Sequence, residues 1–279
     1  MKQRRFQQVD VFSTTPYMGN PVAVVLDAEG LSDHQMAQFA NWTNLSETTF
    51  VLPPIHPEAD YRVRIFTPSQ ELPFAGHPTL GTCHAWLQAG GKPKATSIYQ
   101  DCAAGLIEIR QEGDILSFAA PVRRKTGPLD RQHLDQIING LNLTPEDVLD
   151  HQWCDNGPPW QALLLRDAAL VLNARPDPAI IKDVEFLGLV GPVAQGPHAF
   201  EIRAFFPGQA RFSEDPVTGS LNAAVAQWLV GQGLAPPRYE ARQGTVLGRD
   251  GRIFVTTDPS QQIWIGGACI ACIVGQVML

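Results

Sequence analysis

The sequence predicts an α+β protein of two similar lobes, arising from an internal duplication, each a mixed sheet wrapped around a helix. Three observations point there. Segments with strand-like alternation outnumber those with helical periodicity, as in Tyr61–Phe66. The 23 prolines and 24 glycines are spread along all 279 residues, which marks many tight turns between short elements. Finally, a pattern recurs at half the chain length. Arg64-Ile-Phe66-Thr-Pro68 followed by His77-Pro78-Thr-Leu-Gly81-Thr82 resembles Arg203-Ala-Phe205-Phe-Pro207 followed by Asp215-Pro216-Val-Thr-Gly219-Ser220. The offset is 139 at the arginines (203 − 64) and 138 at the turns (215 − 77). Ala104-Gly105 against Gln243-Gly244, and Leu116 against Val255, keep the offset of 139. Several matches at one spacing indicate duplication rather than chance.

Within the first half, Val9–Phe12 and Val22–Leu26 read as strands joined by the turn 16–21. Ser32 and Gln35 have capping-box spacing ahead of the helical period of Met36, Phe39 and Ala40. Thr48–Leu52 returns to a strand pattern. Ala120–Gly127, rich in proline and arginine, reads as the linker between halves. The expected lobes are 1–122, completed by a last strand at about 268–279, and 123–267.

Composition narrows the function. The net charge of −7, with no basic run beyond Arg4–Arg5 and Arg123–Lys125, excludes a phosphate-neutralising face and so a nucleic-acid partner. No apolar stretch approaches the ~18 residues of a membrane span, and the basic N-terminus lacks the apolar core of a signal peptide. Five scattered cysteines, an odd number, read as reduced thiols of a cytoplasmic protein. Cys269 and Cys272 form a C-x-x-C inside an apolar stretch, which suits a buried strand better than a redox or metal site.

The paired turns are the candidate site. Proline is favoured in the first turn of a helix, where its missing N–H costs nothing. His77 and Asp215 are then expected at the N-caps, with small residues leaving backbone N–H groups open to an anion. Two such ends would grip a carboxylate-bearing molecule. The plainer reading makes Asp215 a simple cap and His77 a surface residue. Both side chains are suited to proton transfer or to orienting an acid/base group. Ser220 lacks the G-x-S-x-G surround of a hydrolase nucleophile. His77 and His84, seven apart, suggest a metal pair, but no third ligand has metal-binding spacing. Glu47, in Asn44-Leu-Ser-Glu47-Thr-Thr-Phe50, sits where a polar patch enters an apolar strand. Apolar walls raise a carboxyl pKa toward what a proton shuttle needs, although a glutamate at a strand start is more often solvated.

These stretches resemble the phenazine-biosynthesis isomerase (PhzF-like) family, which has the diaminopimelate-epimerase-like fold. The matching motifs are GNPVAVV at Gly19–Val25, NLSETTFV at Asn44–Val51 and RIFTPSQELPFAGHPTLGT at Arg64–Thr82. NGP at Asn156–Pro158, EDPVTGS at Glu214–Ser220 and QGTVLGR at Gln243–Arg249 continue the series. The resemblance implies two lobes with a cleft between them, a homodimer and no cofactor. Position by position, it implies that Glu47 is the acid/base, with His77, Asp215 and Ser220 lining the site. Gly76 and Gly219 match glycines whose N–H groups face the substrate, and Asn20 and Asn156 fall in matching substrate-side motifs. The implied reaction is a proton shift within trans-2,3-dihydro-3-hydroxyanthranilate or a similar small carboxylated substrate. Diaminopimelate epimerase uses two facing cysteines in these turns, and none of the five cysteines here takes such a place. That disfavours thiol-based two-base epimerisation. An epimerase or racemase using Glu47 with Asp215 or His77, and a binding protein without turnover, remain as alternatives.

Overall fold

The computed structural model describes residues 1–182, 184–207 and 212–279, which separate into two units. The first is Met1–Ala119 with Gly266–Leu279, and the second is Ala120–Ile265.

In the first unit, β1 (Gln3–Val11) and β2 (Asn20–Val25) are an antiparallel pair. Their connection is pinned at Gly19. A Cβ there would lie 2.1 Å from the Val11 carbonyl oxygen, so only glycine lets the chain lie this close to β1. The Gly19 N–H donates to Asp10 Oδ2 at 2.9 Å, which fixes the entry of Asn20 into β2. Helix α1 (Asp33–Thr43) begins with the expected capping box. Ser32 Oγ accepts from the Gln35 N–H, and Gln35 Oε1 accepts from the Ser32 N–H. Asn44, left-handed at φ 54°, ends the helix and turns the chain into β3 (Glu47–Leu52), so that Glu47 opens the strand.

Next come β4 (Tyr61–Phe66), the short β5 (Glu71–Leu72) and α2 (Gly76–Gln88). They are followed by β6 (Ile98–Cys102), β7 (Gly105–Glu112) and β8 (Ile115–Ala119). The ladder runs β1-β2-β3-β4-β6-β7-β8 to the chain's last strand, which pairs back onto β1 and closes the sheet. The pairs β2–β3 and β4–β6 are parallel, making the sheet mixed. Helix α2 packs on β1, β2, β3 and β8, and every residue from Gly76 to Cys83 is buried. A helix covered all round is a core element rather than a surface one. Gly81 permits the approach, since a Cβ there would stand 2.3 Å from Val22 Cγ1 and 2.9 Å from Val11 Cγ2.

The second unit holds α3 (Arg131–Gly140), β9 (Val148–Asp155), β10 (Pro159–Leu165) and α4 (Ala168–Asn173). Then come β11 (Leu187–Pro192), β12 (Phe200–Phe206), β13 (Ser213–Asp215) and α5 (Gly219–Gly231). It ends with β14 (Arg238–Gln243), β15 (Gly251–Thr257) and the start of β16 (Ile263–Met278). Its order is β9-β10-β11-β12-β14-β15-β16, with β13 on β12. Helix α5 is buried nearly throughout, like α2, whereas α3 and α4 cover a separate core of Ile137, Leu163, Leu165, Val171 and Leu189. Each such fully buried aliphatic side chain contributes about 1.5–3 kcal/mol. Among the described residues no helix is long and apolar enough to cross a membrane.

The duplication is out of register with the expected motif match. Arg64 in β4 and Arg203 in β12 do correspond: each guanidinium grips one glutamate through two parallel bonds. These run to Glu71 at 2.7 and 2.6 Å and to Glu214 at 2.8 and 2.7 Å. In the ladders Phe66 pairs with Glu71 and Phe205 with Glu214. Four residues (67–70) separate the first pair and eight (206–213) the second, so the offset grows from 139 to 143. Both central helices then start in step, Gly76 with Gly219. The counterpart of His77 is therefore Ser220, and that of Asp215 is Leu72, because Ile65 pairs with Leu72 and Ala204 with Asp215. Neither His77 nor Asp215 is an N-cap. Ala75 caps α2, with His77 and Pro78 already inside the first turn, and Thr218 caps α5, with Asp215 still in β13. The later matches slip too, since Leu116 lies in β8 and Val255 in β15, whereas the counterpart of β8 in the strand order is β16.

Candidate active site

In the first unit the structure brings Glu47, His77, Asn20 and Gly76 together. Glu47 arrives as the first residue of β3, and His77 as the second residue of α2. His77 Nε2 stands 3.3 Å from Glu47 Oε2, with side-chain exposures of 6% and 15%. Burial drives the His77 pKa down to about 3, with a hydrogen bond to the Pro21 carbonyl acting weakly the other way. The imidazole is thus neutral, and its contact with Glu47 is that of a dipole rather than an ion pair. On the far side of the ring, the Asn20 amide nitrogen lies 3.5 Å from His77 Nδ1. The N–H groups of Gly76 and His77 precede the first intrahelical bond, from the Thr79 N–H to the Ala75 carbonyl, so the helix does not use them. One turn further in, Gln100, fully buried in β6, donates to Thr79 Oγ1 at 3.0 Å and ties the helix start to the sheet.

In the second unit Ser220, Gly219 and Asn156 come together with Trp160. The Trp160 Nε1–H donates to Ser220 Oγ at 3.0 Å, and Asn156 Nδ2 donates to the Ser220 carbonyl at 2.8 Å. Here too a glutamine anchors the helix: Asn222 Nδ2 donates to Gln243 Oε1 at 2.9 Å. Asn222 and Thr79 both occupy the fourth helical position, Gln243 and Gln100 the sheet. Asp215 serves the cap rather than being it. Its Oδ2 accepts from Thr218 Oγ1 at 2.6 Å, while Gln243 Nε2 donates to both the Asp215 carbonyl and Thr218 Oγ1. Sequence reasoning left Trp160 unplaced and missed Gln100, Gln243 and Thr218. Gln243 had a signal, standing at the head of the QGTVLGR motif.

Ladder register also identifies what stands in Glu47's place in the second unit. Thr48 pairs with Phe66, and Leu187 with Phe205, each two residues past the corresponding arginine. The preceding residues, Glu47 and Phe186, are therefore counterparts. Phe186 packs edge-on against Trp160, with ring centroids 5.2 Å apart at 83°. Only one copy of the duplicated position carries a titratable group.

The model of the phenazine biosynthesis-like (PhzC-PhzF) protein family matches residues 9–275. The chain belongs to this family. A fission yeast (Schizosaccharomyces pombe) member, antisense-enhancing sequence 1, is 37% identical, with 99% of each chain covered. The trans-2,3-dihydro-3-hydroxyanthranilate isomerase of Pseudomonas aeruginosa is 30% identical over 91% of this chain and 90% of that one. A PhzF-family crystal structure from Bacillus anthracis superposes with a TM-score of 0.84 at 23% identity, covering all of both chains. In this PhzF-family chain, then, the α+β architecture of mixed sheet on central helix is shared across wide sequence divergence.

Two other sequence features of this family member separate from the site. His84 lines a cavity of about 480 Å³ with Cys269, Asp114 and Gln111, and His77 does not reach it. Among the described residues no group of three or more His, Cys, Asp or Glu could hold a metal. Cys269 and Cys272 lie three apart on β16, with Cys272 at a bulge where it has no partner on β1, and both are free thiols rather than a disulfide. Burial raises the Cys269 thiol well above the ordinary range.

Proposed function

We propose that the chain is a cofactor-independent isomerase that moves a proton within a small carboxylated substrate resembling trans-2,3-dihydro-3-hydroxyanthranilate. Glu47 is the single acid/base. As carboxylate it takes the proton from one carbon, the freed electron pair shifts through the conjugated system, and the carboxylic acid returns the proton at another carbon. No redox equivalent or leaving group is involved. The observation that carries this reading is the pairing of Glu47 with a neutral, buried His77 in one unit and the replacement of Glu47 by Phe186 in the other. Because His77 is uncharged, a proton can come and go on Glu47 without making or breaking an ion pair. Asn20 steadies the imidazole, and the Gly76 N–H is assigned to a polar group of the substrate; within the second unit the Gly219 N–H, Ser220 and Asn156 offer a place for a carboxylate. Asp215 orders the cap of α5.

The test is ultraviolet loss of the diene of dihydro-hydroxyanthranilate in deuterated buffer, with mass analysis of the product. Turnover, with the migrating hydrogen partly exchanged for deuterium and loss of both signals in Glu47→Gln, is the expected result. Full turnover by Glu47→Gln would sink the assignment. Label washing into the α-carbon of an amino acid would instead indicate a racemase.

A further inference from the structure

Ser220 has a hydroxyl with one proton and two lone pairs. An indole N–H can only donate, so the 3.0 Å bond from Trp160 occupies a lone pair of Ser220 Oγ. The Ser220 carbonyl is occupied as well, by Asn156 Nδ2. Among the described residues the hydroxyl proton has no acceptor, and the Ser220 N–H precedes the first intrahelical bond of α5, from the Asn222 N–H to the Thr218 carbonyl. Trp160 itself is 2% exposed and held edge-on by Phe186, so the indole cannot swing away to let Oγ act differently.

We propose that Trp160 is a positioning residue that makes Ser220 a dedicated hydrogen-bond donor to the ligand's carboxylate, O–H and N–H acting from one residue. Ser220 is then neither nucleophile nor base. A bond received from the indole polarises the hydroxyl and strengthens the bond it gives, and the positive end of α5 favours the anion. Phe186, in the place that holds Glu47 in the other unit, has become the wall that fixes this tryptophan. The inference rests on the isomerase reading only for the ligand having a carboxylate.

A double-mutant cycle on the full chain tests it, with anthranilate as the probe in calorimetry. Trp160→Phe should weaken anthranilate binding about fivefold, and should add less than about 1.5-fold in the Ser220→Ala background. In the ligand-free protein, the Trp160 indole proton resonance should move in Ser220→Ala and return toward its place in Ser220→Thr. Equal effects of Trp160→Phe in both backgrounds would mean that the ring only packs, and would overturn the proposal. So would an indole resonance indifferent to Ser220, or an unaltered protein that does not bind anthranilate. None of these touches Glu47, whose role stands or falls on the deuterium experiment.

Discussion

The Arg64–Glu71 and Arg203–Glu214 pairs have the same bidentate geometry in very different surroundings. The first is half solvated, with side-chain exposures of 18% and 36%, and Arg64 also reaches Asp33. The second is sealed, at 3% and 9%, with Arg203 further bonded to the carbonyls of Val171 and Ala174. The same divergence runs through the rest of the two units. Glu47 corresponds to Phe186, His77 to Ser220, and Gly81 to Ala224. Duplication has preserved the hydrogen bonds that hold each central helix to its sheet while freeing the helix starts to take different chemistry.

The sharpest way to break this comparison is at the two counterparts of the strand start. Glu47→Gln should lower turnover about 1,000-fold, whereas Phe186→Leu should lower it less than about tenfold; equal losses would refute the asymmetry. Stability separates the ion pairs. Glu214→Gln, which strands a buried arginine, should cost about 3–5 kcal/mol, against about 1 kcal/mol or less for Glu71→Gln, both read by urea unfolding.

The glycine and alanine at the sixth helical position should also differ. Gly81→Ala forces a methyl against Val22 and should cost about 2–3 kcal/mol, while Ala224→Gly should cost about 1 kcal/mol. Finally, His77 makes the first unit acid-sensitive. Its folded pKa of about 3 lies below the unfolded value, so the unfolded chain binds more protons between the two, and stability falls as pH drops below about 6.5. From pH 6.5 to 5 the loss should be about 2 kcal/mol, and His77→Gln should lack it in pH-dependent melting.

The local elements were open to reading from sequence because their signals are local. Ser32 with Gln35 caps a helix through bonds within one turn, and the alternation of Tyr61–Phe66 needs only its own side chains. The helix starts were misread because the motif His77-Pro78 looks like Asp215-Pro216, and similarity of letters outweighed a four-residue difference in the loop before them. Proline is tolerated anywhere in a first helical turn, where N–H groups are unpaired in any case. Proline also suits the turn ahead of a helix. Pro78 takes the first of these places and Pro216, two residues before the Thr218 cap, takes the second. The presence of proline in both motifs therefore could not fix where either helix began.

By itself, then, the sequence determined the α+β class, the strand pattern and the set of chemically interesting side chains, Glu47, His77, Asn20, Asn156, Asp215 and Ser220 among them. These follow from short-range propensity and from motifs that stay together along the chain. Only the tertiary structure decided which of them are counterparts. Strand register is set by pairing between residues far apart in sequence, and a spacing of eight residues against four between the paired positions shifts it without changing any motif. That shift makes Ser220 the partner position of His77 and gives Ser220 to Trp160. It also leaves Glu47 as the single carboxyl group at the duplicated strand start.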